Sequence, residues 1–101
     1  MTALFPHQKE IVLAILKVKP DLKQIFLFGS RASGKARNSN ADIDLGVVSD
    51  KRLTYLELAK IDENLEEIPT LYSIDVVDFS QRDDCFTREA TKEARTIYEK
   101  R

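Results

Sequence analysis

The apolar positions of this chain fall into blocks whose spacing changes from helical to extended and back. Between Phe5 and Val18, Ile11, Val12, Ile15 and Leu16 recur at the spacing of one helix face, with Pro6 where a first helical turn accepts proline. Pro20 ends that helix. From Lys23 to Phe28, the run Gln24-Ile25-Phe26-Leu27-Phe28 is rich in β-formers and stops at Gly29, which reads as a buried strand. Gly29 to Ala41 is small and polar and suits a turn, a short helical piece and a loop. Asp42-Ile43-Asp44-Leu45-Gly46-Val47-Val48 then resumes as a second strand, its two acids alternating with apolar residues.

Lys51 to Glu67 is helical by the stripe Leu58, Ile61, Leu65 and Ile68, with Thr54 and Glu57 spaced as a capping box and Pro69 closing the segment. Leu71 to Phe79 is a third strand by its β-branched and aromatic content. Ser80 with Asp83 offers another helix start, after which Phe86, Ala90, Ala94 and Ile97 keep helical spacing. The order helix, strand, turn, strand, helix, strand, helix predicts an α+β fold, a small mixed sheet flanked by helices. The 101 residues are expected to form one domain, residues 1–101, without a second lobe to grip a long substrate.

Composition narrows the function classes. An apolar fraction of 43% and a charged fraction of 33% are those of an ordinary globular protein. The formal net charge of -1 provides no overall field toward nucleic acid or an anionic membrane, so direct nucleic-acid binding is not expected. No apolar run approaches the roughly 18 residues of a membrane span and no signal segment is evident, which makes the expected location cytoplasmic. Cys85 is the only cysteine, so the chain can close no internal disulfide and build no cysteine metal site. It has no histidine near it in sequence to make it a nucleophile.

The chemistry is concentrated in the strand ends. A strand running into Gly29-Ser30 places backbone N–H groups and a hydroxyl where a phosphate can approach closely, although by itself such a pair is more often an ordinary turn. Asp42 and Asp44, two apart on a strand, emerge on one face while Ile43 and Leu45 point into the core. Two like charges so close repel, and a divalent cation resolves the conflict: Mg²⁺ is commonly held by one or two carboxylates together with substrate phosphates. The plain alternative is a solvent-facing strand surface that happens to carry two acids. Asp75 lies mid-strand among apolar residues, on the face opposite to Ile74, Val76 and Asp78. If its strand neighbours the second, Asp75 completes a metal site and can act as a base; Asp78, at the strand end, reads as solvated.

Phe28-Gly29-Ser30-Arg31-Ala32-Ser33-Gly34-Lys35-Ala36-Arg37 followed by Ala41-Asp42-Ile43-Asp44-Leu45, with the later acid in Ile74-Asp75-Val76, resembles the minimal nucleotidyltransferases of the DNA polymerase β superfamily. The resemblance spans about Ile25 to Phe79. It departs from the common pattern in a spacer of eleven residues between Ser30 and Asp42, one longer than usual, and in Ala41 where serine often stands. The resemblance implies transfer of a nucleoside monophosphate, expected to be AMP from ATP, to an acceptor hydroxyl with release of pyrophosphate. Gly29, Ser30 and Arg31 would then meet the triphosphate, and Asp42, Asp44 and Asp75 would hold two Mg²⁺ ions. Arg31 and Lys35 are equally well explained as solvated loop cations. The family also implies an antitoxin-like role, the acceptor being a tyrosine on a helical HEPN toxin, in a hetero-oligomer or a homo-oligomer.

Two other readings compete. Gly29 to Ala36 nearly spells the phosphate loop of P-loop NTPases, but Ala36 stands where a Ser or Thr hydroxyl is required, and about 65 residues afterwards leave little room for the remaining parallel strands. A catalytically weak or inactive module that neutralises its partner by contact is the second. Small-molecule transfer of the aminoglycoside type is less expected, because such enzymes bring extra domain to bind the acceptor.

Overall fold

A computed structural model describes residues 4–29, 32, 42–82 and 85–100, the side chain of Phe86 excepted. Helix α1 spans Gln8–Val18. It begins beyond the expected start because His7 adopts a left-handed backbone, φ 61°, that ends the preceding turn. Ile11 and Ile15, one helical turn apart, are wholly buried. Strands β1 (Gln24–Phe28) and β2 (Ile43–Val48) pair antiparallel, and helix α2 (Tyr55–Glu66) carries the chain across to β3 (Ile74–Asp78), which lies parallel to β2. Parallel neighbours require such a crossover, so the capped helix between the two strands follows from their pairing.

The capping box forms as the spacing predicts. Thr54 Oγ1 accepts from the Glu57 N–H at 3.1 Å, and Glu57 Oε1 accepts from the Thr54 N–H at 2.8 Å. Lys19, just beyond α1, reaches Glu57 at 3.1 Å and ties the two helices together. The Thr54 backbone N–H and then Lys19 hold the Glu57 carboxyl below the usual range. A depressed carboxyl stabilises the fold above its unfolded pKa and loses that contribution as pH falls through the folded value. Thr54→Ala should lower stability by about 1 kcal/mol in a urea melt at neutral pH, and no movement of the midpoint would show that the box contributes little.

After β3 the chain departs from the sequence expectation. The helix expected to run through Ile97 stops at Thr91: α3 covers Cys85–Thr91, and Arg95–Glu99 forms β4, antiparallel to β1. Thr96-Ile97-Tyr98 is β-branched and aromatic, and the free side of β1 offers it a ladder that a short isolated helix could not match. The pairing slips between Ile25 and Phe26, with Tyr98 opposite Ile25 and Thr96 opposite Phe26. Ile97 is the extra residue of that bulge, and both Ile97 and Tyr98 pack against the core. Ala90 and Ala94 both pack against the aromatic cluster described below, although Ala94 lies beyond the end of the helix.

Among the described residues the sheet has the order β3-β2-β1-β4. Its two faces are built differently. Ile25, Leu27, Ile43, Leu45 and Val47 face α1 and α2 and make the main core with Ile11, Ile15, Ile61 and Leu65. On the other face Phe26, Phe28 and Phe79 form an aromatic cluster, the Phe28 and Phe79 rings meeting edge-on with centroids 5.3 Å apart. Gly46 lies beneath that cluster, where a Cβ would run into the Phe26 ring and stand 2.7 Å from Phe79 Cδ2.

Candidate active site

The aromatic face is also the face of the acids. Phe28 pairs with Asp44 across β1 and β2, and Asp44 pairs with Asp75 across β2 and β3. Residues directly opposite on adjacent strands present their side chains on the same side, so Phe28, Asp44 and Asp75 stand in a row across the sheet. Asp42, one residue ahead of β2, is exposed, and Ile43 and Leu45 are both 0% exposed on the opposite face, as the alternation predicts. The pairing of the strands brings Asp75 beside Asp44, and Asp78 is turned elsewhere.

Asp78 is not the solvated strand end that its position in the sequence implies. Its Oδ2 accepts from the Leu53 N–H at 2.8 Å and its Oδ1 from the Ser80 N–H at 2.9 Å, so it clasps the entrance of α2 to the end of β3. The Ser80 amide is local, but the Leu53 amide comes from 25 residues away, a contact the sequence does not announce.

Asp44 is half-buried, and its carboxyl is pushed above the ordinary aspartate range by burial first, then by the charges of Asp75 and Asp42. No ion pair among the described residues relieves this repulsion. A bound cation would relieve such a repulsion between carboxylates. The donor set is all carboxylate oxygen, which suits a hard ion such as Mg²⁺. Among the described residues no three such side chains already stand close enough together to enclose a metal.

Gly29 joins the turn to the acids. Its backbone has φ +77°, and a Cβ built on it would lie 2.6 Å from Asp44 Oδ2. Only glycine fits there, both for its left-handed backbone and for the carboxylate pressed against it. Ser30, Arg31 and Lys35 lie outside the described residues. Sequence reasoning missed the surroundings of the acids: Phe28, Asp62, Glu66 and Tyr72 line, with Asp44 and Asp75, an open groove of about 910 Å³. Asp62 and Glu66 carried no signal, since their place on the groove depends on where α2 crosses the sheet. Cys85 is an exposed free thiol, and no described helix is long and apolar enough to cross a membrane.

Solved structures share this fold. A toxin–antitoxin complex with AMP-PNP matches over 92% of this chain and 73% of its own, at 20% identity and a TM-score of 0.72. A tri-AMPylated Shewanella oneidensis HEPN toxin in complex with its MNT antitoxin matches over 93% and 71%, at 18% identity and a TM-score of 0.70. The toxin–antitoxin pair MntA–HepT matches over 93% and 71%, at 18% identity and a TM-score of 0.62. At these identities the likeness is one of fold. No curated protein sequence matches the chain. The family pattern described as Polymerase beta, Nucleotidyltransferase matches residues 10–101, taking in every described strand and helix from the body of α1 to β4. The chain therefore belongs to the polymerase β nucleotidyltransferase family.

Proposed function

We infer that the protein transfers a nucleoside monophosphate, AMP from ATP, to an acceptor hydroxyl. The observation that carries this reading is the adjacency of Asp44 and Asp75 on paired strands, with Gly29 pressed against Asp44. In the reaction the acceptor oxygen bonds to the α-phosphorus, the bond from that phosphorus to the pyrophosphate oxygen breaks, and pyrophosphate leaves. Asp75, the more exposed of the paired acids, takes the hydroxyl proton. Gly29, Ser30 and Arg31 meet the triphosphate, and Asp42, Asp44 and Asp75 hold the metal. Bound Mg²⁺, two ions in this reading, supplies charge neutralisation at the phosphates and lowers the pKa of the acceptor hydroxyl.

The acceptor is a tyrosine on a HEPN-type helical partner, which the protein thereby neutralises as an antitoxin. The support is the fold it shares with partners of HEPN toxins, one of them AMPylated. Incubation with labelled nucleoside triphosphates, Mg²⁺ and a HEPN-type partner should place label on the partner and release pyrophosphate. Release of inorganic phosphate instead would favour the NTPase reading.

Neutralisation by contact alone is the second reading. The double variant Asp42→Asn with Asp44→Asn separates the two. It should stay folded and lose transfer and neutralisation together; neutralisation that survives without transfer would assign the role to contact.

A further inference from the structure

β3 is an edge strand, and among the described residues no strand lies beyond it. In a parallel ladder alternate residues bond to one neighbour. Ser73 O accepts from the Ile43 N–H at 2.8 Å and the Phe79 N–H donates to Val47 O at 2.9 Å, so Ser73, Asp75, Val77 and Phe79 face β2. The N–H and C=O groups of Ile74 and Val76 therefore point outward, into the groove that also takes in Asp44 and Asp75. The far wall is the end of α2, where Asp62 and Glu66 stand one turn apart. Like charges at that spacing disfavour a helix, so the pair is not explained by α2 itself. Among the described residues every charged side chain lining the groove is a carboxylate: Asp44, Asp62, Glu66 and Asp75. Leu71, between the lining residues Thr70 and Tyr72 in sequence, is 101% exposed.

An unpaired strand edge recognises extended backbone, and an acidic lining recognises basic side chains. A second copy of this chain would bring the same carboxylates toward themselves, which disfavours edge-to-edge pairing of β3 with β3. We propose that the free edge of β3 docks the acceptor: an extended segment bearing lysine or arginine adds beside Ile74–Asp78 as a fifth strand, with a hydroxyl-bearing residue in register with Asp75. A residue opposite Asp75 presents its side chain on the face that carries Asp44 and Phe28, where the transferred group would be held. This rests on the transfer reading for the chemistry that follows docking, but docking is measured without nucleotide.

The probe is a fluorescein-labelled ten-residue peptide of alternating lysine and threonine around one central tyrosine, followed by anisotropy in the absence of nucleotide. Binding should weaken at least about tenfold when glutamate replaces lysine, and by a similar factor with Asp62→Lys and Glu66→Lys together. N-methylation of the peptide backbone at alternate residues should weaken binding about tenfold in one register and leave it unchanged in the other, because only one set faces β3. Equal binding of the glutamate peptide, or equal effects of the two N-methylated registers, would overturn strand addition. A peptide that binds as described yet accepts no label from ATP and Mg²⁺ would uphold the docking site and count against transfer to such a segment.

Discussion

Asp44→Asn should abolish transfer, by at least about 10³-fold in kcat/KM, while raising the melting temperature of the metal-free protein. The two effects share one cause. Asp44 is half-buried beside Asp75 and Asp42, and its carboxyl is held above the ordinary range by burial and by their charges. Those charges are useful only when a cation binds; without one they oppose folding. The sign of the pH dependence follows. A carboxyl whose folded pKa is raised binds its proton more tightly in the native state, so its cost is absent below the ordinary aspartate value and grows as pH rises through the folded value. The stability gap between Asp44→Asn and the unaltered protein should be largest near neutral pH and close below that ordinary value. Each kcal/mol recovered moves the midpoint by roughly 4–8 °C in a domain of this size. Mg²⁺ should raise the midpoint of the unaltered protein and leave that of Asp44→Asn nearly still. Scanning calorimetry with and without Mg²⁺ at two pH values reads all of this. An Asp44→Asn protein less stable than its parent at neutral pH would show the carboxylate to be a structural element of β2.

Gly29→Ala should be the other severe change, and it should damage both stability and activity. Its backbone lies at φ +77°, where a side chain costs roughly 1–2 kcal/mol, and the new Cβ would stand 2.6 Å from Asp44 Oδ2. Either the turn unwinds or Asp44 swings away from Asp75. A displacement of about 1 Å at such a site can reduce turnover about 10²-fold. Transfer assayed at saturating nucleotide, together with a urea melt, separates the contributions. Gly46→Ala is the comparison: it is also sterically crowded, but against Phe26 and Phe79 rather than an acid. It should lose stability without a comparable loss of turnover per folded molecule. Equal turnover for Gly29→Ala and the unaltered protein would detach the turn from the site.

The site and the fold were legible in the sequence to different depths. Alternation along Ile43 to Val48 was enough to turn Asp44 away from the core, because β side chains strictly alternate and Ile43 and Leu45 had to be inside. The same parity selected Asp75 over Asp78. Thr54 and Glu57 announced the start of α2 because a capping box is wholly local. Local chemistry of this kind survives translation from sequence to structure.

What the chain alone did not carry was every decision made by elements distant in sequence. Residues 95–99 have a pattern that a helix from Ala90 would also satisfy, and only the free side of β1 makes them a strand. Asp78 became a clasp because the Leu53 N–H arrives within 2.8 Å, which depends on where α2 begins relative to β3. Asp62 and Glu66 became part of an acidic groove for the same reason. The sequence by itself determined the elements from α1 to β3, their buried faces and the parity that turns Asp44 away from Ile43 and Leu45, since these follow from periods of two and 3.6 residues. The tertiary structure decided strand order, the register that sets Asp44 beside Asp75 and the open edge of β3, because pairing energies depend on neighbours that no local period encodes.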